Sequence, residues 1–211
     1  MEIDFIEVKA NAKSLRQRGR VQGVGVNDAW YRTNRKLDGK SLSCPYYVRW
    51  VGMLTRSYSS KYKEEYPTYK DVTVCEEWRR FSVFKGWMEE QDWQGKALDK
   101  DIIKPGNRQY SPETCCFIPA SLNSLLTDSA ANRGDCPRGV SLNKLEGKYA
   151  AYCIVDGIKR HLGGFGTKGE ASLAYRKFKA NLVSEAALEQ EDERVKHGLM
   201  LHAGIILRGE S

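Results

Sequence analysis

Between Lys148 and Leu182 the spacing of apolar residues changes from two to three and four. Tyr149, Ala151 and Cys153 alternate with Ala150, Tyr152 and Ile154, which predicts a strand with one packed face. Asp156-Gly157 follows, a dipeptide that favours a tight hairpin because its backbone reaches positive φ. A further strand, Lys159-Arg160-His161-Leu162, ends at Gly163-Gly164. From Lys168 the period becomes helical, with Ala171, Ala174, Tyr175, Phe178 and Leu182 on one side. With a first strand after Arg138, the segment 138–187 reads as three short strands and one helix.

Upstream, the periods predict a second body. Pro45 opens a helix that aligns Trp50, Met53, Leu54 and Tyr58. Trp78, Phe81, Phe84, Trp87 and Met88 recur at helical spacing in a second one, with a Tyr-rich loop around Pro67 between them. Such aromatics are core material, each burying about 150–250 Å². Asp38-Gly39 marks a hairpin between Tyr31-Arg32-Thr33 and Ser41-Leu42-Ser43. In residues 96–128 the order is strand (Leu98, Ile102, Ile103), loop (Asn107), return strand (Cys115 to Ile118) and a helix after Pro119 with Leu122, Asn123, Leu125 and Leu126. Past residue 187 the acids Glu189, Glu191, Asp192 and Glu193 extend the last helix, and His197-Gly198 is expected to break it. The apolar Leu199-Met200-Leu201 and Ile205-Ile206-Leu207 then either pack back on the body or form a homodimer contact.

Charge narrows the partner. The net charge is +7 over 211 residues, which favours a polyanion. Segment 138–187 holds nine Lys and Arg against four acids, so most of the excess sits there. A second basic cluster, Lys13, Arg16, Arg18 and Arg20, precedes the glycine-spaced Val21-Gln22-Gly23-Val24-Gly25-Val26 and suits an arm laid along phosphates. No apolar run approaches the roughly 18 residues of a membrane span. Met1-Glu2-Ile3-Asp4 lacks the features of a secretory signal, so a soluble cytoplasmic protein is expected. The six cysteines, Cys44, Cys75, Cys115, Cys116, Cys136 and Cys153, form no C-x-x-C pair. They read as buried apolar residues; a structural Zn²⁺ would need Cys44, Cys75 and Cys115 or Cys116 to converge.

Segment 138–187 resembles the plant ethylene-response-factor (Apetala) DNA-binding domain, also found beside nuclease domains in phage and mobile-element endonucleases. Arg138-Gly139-Val140 stands at its opening Arg-Gly-Val, and Lys148-Tyr149-Ala150-Ala151 replaces Lys-Trp-Ala-Ala. Leu162-Gly163-Gly164-Phe165 stands for Leu-Gly-Thr-Phe, and Glu170-Ala171 through Ala174-Tyr175 for the helix signature. The resemblance implies a sheet laid in the DNA major groove, with Arg138, Ser141, Tyr149, Tyr152, Lys159 and His161 as contacts. Family arginines and tryptophans are replaced at Ser141, Tyr149, Lys159 and His161, so the family's target sequence does not carry over.

Residues 96–128 resemble the HNH (ββα-metal) nuclease core, which carries Asp-His-Ile on its strand, Asn in its loop and a Thr-x-x-x-Asn-type helix ending. Asn123 fits that ending, with Pro119 in place of the Thr, and Asn107 lies in the loop. By this resemblance Asp99, Asp101 and Asn123 would hold Mg²⁺, or Mn²⁺ in its place, against the scissile phosphate. Lys100, Asp101 and Asn107 would be catalytic. The His position falls on Lys100 or Asp101, and His161, His197 and His202 all lie elsewhere, so the usual base is missing.

Together with Cys44-Pro45-x-Tyr47-x-x-Trp50, Val74-x-x-Glu77-Trp78-x-x-Phe81 and Tyr110-Ser111-Pro112-Glu113-Thr114-Cys115, these motifs resemble phage HNH-like, homing-type endonucleases over about residues 23–187. The expected fold class is α+β: a ββα-metal (HNH-like) core with flanking helices, plus a three-stranded antiparallel sheet packed on one helix. The expected division is an arm and hairpin (1–40), the HNH-like domain (41–130), a linker (131–137), the Apetala-like domain (138–187) and a tail (188–211). The implied function is sequence-biased binding of double-stranded DNA with metal-dependent cleavage. The alternative is a degenerate nuclease that binds or regulates without cutting.

Overall fold

A computed structural model describes residues 5–37, 39–126, 135–143 and 145–210. The chain is mixed α+β and forms two units, Met1–Asp101 with Gly106–Phe117, and Ile102–Pro105 with Ile118–Ser211. This division differs from the sequence boundaries: residues 188–210 belong to the C-terminal unit and so does a short loop segment near residue 103. Asp38, Lys144 and residues 131–134 of the expected linker lie outside the described residues.

In the N-terminal unit, α1 (Ala12–Arg16) is followed by an antiparallel hairpin, β1 (Asn34–Leu37) with β2 (Lys40–Ser43). Pro45 does open a helix, α2 (Pro45–Tyr58), whose Trp50, Met53 and Leu54 are fully buried. After α3 (Ser60–Glu65), Trp78 sits in a single 3₁₀ turn, and α4 begins only at the following Phe81 (Phe81–Glu89). The aromatic period therefore spans a turn and a helix. The faces of α2 and α4 meet through rings, with Trp50 and Phe81 centroids 5.5 Å apart, and Trp78 of the 3₁₀ turn stands edge-on to Phe84 at 5.1 Å. Burial of the indole N–H is compensated, because Trp50 Nε1 donates to Trp78 O at 2.7 Å.

The expected strand from Leu98 to Ile103 is shorter. β4 (Ala97–Asp99) pairs with β6 (Cys116–Ile118), and the chain bends after Asp99. Between them β5 (Gln109–Tyr110) pairs in parallel with β3 (Thr73–Val74), a long-range pairing that no local period announces.

The basic N-terminal stretch is not a separate arm. Phe5, Val21 and Val24 pack on the aromatic core, and Ala10 N donates to Trp30 O at 3.0 Å.

The C-terminal unit holds α5 (Ala120–Leu126), which follows Pro119 directly. Its sheet is β7 (Val140–Asn143), β8 (Lys148–Val155) and β9 (Ile158–Phe165), antiparallel in that order. Asp156 and Gly157 take φ of 52° and 76°, the two positive values a tight hairpin needs. α6 (Lys168–Leu188) lies against the sheet and starts with a capping box, Glu170 N to Thr167 Oγ1 at 3.2 Å and Thr167 N to Glu170 Oε2 at 3.1 Å. One expectation is overturned here: His197-Gly198 does not break a helix. α7 (Glu193–Arg208) runs through both, and the true break precedes it, where Asp192 caps a new helix. Gly198 serves close approach instead, since a Cβ there would stand 2.1 Å from the carbonyl oxygen of Ile102. Val195, Leu199 and Ala203 are buried, whereas Met200, Leu201 and Leu207 of the apolar end are exposed. Among the described residues no helix is long and apolar enough to cross a membrane.

Candidate nucleic-acid interface

The sheet's two faces follow from its register. Val140 pairs with Ala151, and both join Ala171 of α6 in a small core. Residues at odd steps from them point the other way: Ser141 opposite Ala150, Tyr152 opposite His161, and Ile154 opposite Lys159. Leu162 is the extra residue of a bulge beside Tyr152, which keeps His161 in phase with the outward side. The outward positions thus comprise Ser141, Asn143, Lys148, Ala150, Tyr152, Ile154, Lys159, His161 and Gly164. None of them is acidic.

This face is open to solvent at Ser141, Ile154, Lys159, His161 and Gly164, and half-buried at Tyr152. Its middle is a low row, Ser141, Ala150 and Gly164. Beside that row stands an ordered cluster: the Tyr152 and His161 rings lie 5.1 Å apart, and Lys159 Nζ rests 3.9 Å above the Tyr152 ring. A cation over an aromatic face is held there by the ring quadrupole, so the ammonium is presented in one place.

Four of the six contacts expected in this module, Ser141, Tyr152, Lys159 and His161, therefore share the outward face. Tyr149 does not. Two residues before Ala151, it faces α6 and packs on the small core, with Lys168 Nζ 6.0 Å from its ring. Arg138 lies in the turn before β7, half-buried, and its positive charge acts on the Cys153 thiol on the helix side. Burial nonetheless raises that thiol above its usual value, because desolvation outweighs the nearby Lys179, Arg138 and Arg160. Sequence reasoning missed Ile154 and Asn143. The same period of two that singled out Tyr152 selects Ile154, and the cross-strand register then adds Asn143.

The three arginines of the N-terminal cluster divide. Arg16 and Arg20 are exposed. Arg18 is committed internally: Nη1 donates to Asn27 O at 3.1 Å and to Ala29 O, and Nη2 to Tyr31 O at 2.7 Å. Its guanidinium thus gathers three carbonyls of one loop, a structural role that Arg16 and Arg20 do not share.

The acidic turn after β4 is also well ordered. Asp99 Oδ1 accepts Asp101 N at 2.9 Å, an Asx turn, and Lys100 Nζ reaches Asp101 Oδ2 at 3.1 Å. The same ammonium lies 5.5 Å from the Tyr69 ring centroid. Asn107 Nδ2 donates to Lys100 O at 2.7 Å and to Gln109 O at 2.6 Å, closing the loop across its base. Burial holds the neighbouring Cys115 thiol well above its ordinary value, and the Asp99 charge adds to the effect. Asp99, Lys100, Asp101 and Asn107 are thus brought together within the N-terminal unit, whereas Asn123 belongs to the C-terminal unit. Asn123 stands on α5, exposed, with its N–H bonded to Pro119 O at 3.1 Å. Among the described residues no three His, Cys, Asp or Glu side chains are grouped to hold a metal ion. All six cysteines are in the reduced form.

No family model matches the chain, and neither a curated protein nor a solved structure is significantly similar to it.

Proposed function

We propose that this protein binds double-stranded DNA with sequence bias, docking the outward face of β7–β9 in the major groove. The observation that carries the reading is that face itself, an exposed, acid-free surface with Lys148, Lys159 and His161 around an ordered tyrosine. A two- or three-stranded sheet fits the B-form major groove, about 12 Å wide, whereas the deep and narrow major groove of an RNA duplex excludes it. Electrophoretic or anisotropy titration of the full chain tests it: duplex DNA should bind in preference to duplex RNA, and Lys159→Ala should weaken binding. Equal affinity for the two duplexes would count against groove docking.

For the N-terminal unit the favoured reading is metal-dependent phosphodiester cleavage of the HNH-like type. Asp99 and Asp101 offer hard oxygen donors, the class that Mg²⁺ or Mn²⁺ takes. When bound, such an ion supplies positive charge to the developing phosphorane. Asn107 fixes the loop, and Lys100 places a second cation beside Asp101. A second reading, a regulator that binds without cutting, draws on the missing base: residues 96–128 hold no histidine, and Lys100 is engaged by Asp101 and Tyr69. Supercoiled plasmid with Mg²⁺ or Mn²⁺ separates the two. Nicking abolished in both Asp99→Ala and Asp101→Ala supports the nuclease, and intact plasmid bound by the protein under every metal supports the regulator.

A further inference from the structure

We infer that the outward sheet face selects A·T-containing sites by contacting the C5-methyl group of thymine with Ile154. The inference rests on the DNA-binding reading and adds to it what the face recognises. Each base pair shows the major groove a distinct edge, and the thymine methyl is its one apolar mark. Guanine O6 and N7 are read by Arg or Lys; no outward position carries Arg, and of the two lysines there Lys159 is held over the Tyr152 ring. The face instead presents Ile154, which is 65% exposed although strand side chains of its type are usually covered. Ile154 stands directly opposite Lys159, whose ammonium is held over Tyr152, so apolar and cationic groups are side by side. A duplex edge answers both at once, the phosphate or an acceptor atom to Lys159 and a methyl to Ile154. At the other end of the face Asn143 is half-buried, and its Oδ1 accepts Leu145 N at 3.2 Å, so the apolar contact of Ile154 carries the selection. A protein partner would have to be acidic and apolar in the same narrow strip, and it becomes one outcome of the test.

The probe is a pool of random-sequence DNA duplexes enriched for binding to the full chain, then remade with deoxyuridine for thymidine. Hydrogen-bonding edges are unchanged and only the methyl is lost. Burial of one such group corresponds to about fourfold in affinity, so the uracil duplex should bind about fourfold more weakly for each methyl contacted. Ile154→Ala should abolish the difference while still binding both duplexes, and Ile154→Val should keep most of it. Equal binding of the thymine and uracil duplexes by the unaltered protein, or an enriched pool of G·C pairs alone, overturns the inference but leaves DNA binding standing. No enrichment of any duplex removes the DNA reading itself, and this inference with it.

Discussion

Gly139 controls how the chain enters the sheet. Its φ is +72°, and a Cβ there would fall 2.1 Å from the Tyr175 ring of α6. Its carbonyl also accepts Tyr152 N at 2.7 Å, so the strand that carries the outward tyrosine is anchored on it. Gly139→Ala combines a left-handed backbone penalty of roughly 1–2 kcal/mol with an overpacking cost of similar size. Urea denaturation followed by circular dichroism should show a loss of about 2–4 kcal/mol, and an unchanged midpoint would contradict the packing described. The Arg-Gly-Val match marked this position, yet only the close approach of Tyr175 explains why glycine is required. Tyr149 shows the reverse limit. Motif matching put it among the contacts, while simple alternation from Ala151 turns it toward α6.

Elements were legible wherever the period was strong and local. α2, the β8–β9 hairpin and the start of α6 stand where their spacing put them. Pairings between distant segments were not, because two-residue strands such as β3 and β5 contain no period to read. The run through Gly198 was misread for a related reason: glycine lowers helix propensity, but tertiary contact with the backbone of Ile102 and Ile103 overrides that small local cost. The loop between β4 and β5 depends on Asn107, whose amide donates to two carbonyls. Asn107→Ala should cost about 1–2 kcal/mol, and Asn107→Asp more, since a carboxylate has no hydrogen to donate to Lys100 O. Tryptophan fluorescence reports this change, because all five tryptophans lie in the N-terminal unit. At the start of α7, Asp192 accepts Arg194 N at 2.8 Å, and the Arg194 side chain helps hold its carboxyl below the usual aspartate value. A depressed carboxyl stabilises above its unfolded value, and the gain disappears as pH falls through the folded one. Asp192→Ala should therefore cost about 1 kcal/mol at neutral pH and progressively less in acid.

Charge and burial act over longer range, and they divide between the two units. The N-terminal unit keeps protons on buried groups: desolvation pushes the Cys75 thiol up to about 11 and raises Tyr31, Tyr110 and Cys115 still further. An unfolded chain releases those protons near the ordinary values, so it binds fewer protons than the folded one as pH climbs. Stability of this unit should hold to about pH 9 and then fall. Cys75→Ala should make that fall shallower between about pH 9 and 11, with the remainder kept by Cys115, Tyr31 and Tyr110, read from urea midpoints by tryptophan fluorescence.

The cationic excess lies in segment 138–187, and its consequence is read in salt. Every phosphate neutralised on duplex DNA releases condensed counterions and contributes about −0.9 to the slope of log affinity against log salt. Not all the basic residues of this segment can reach a backbone, because Arg160 pairs with Cys153 toward the helix side and Lys179 is buried on α6. Lys148 and Lys159 stand on the outward face, so a slope steeper than about −2 is expected once flanking cations join them. Lys159→Ala should reduce that slope by about 1 if its ammonium meets a phosphate. If it meets a base edge instead, the slope should hold while affinity falls and the sequence bias relaxes. A slope near zero for the unaltered protein would mean that the cationic face does not meet the DNA backbone at all.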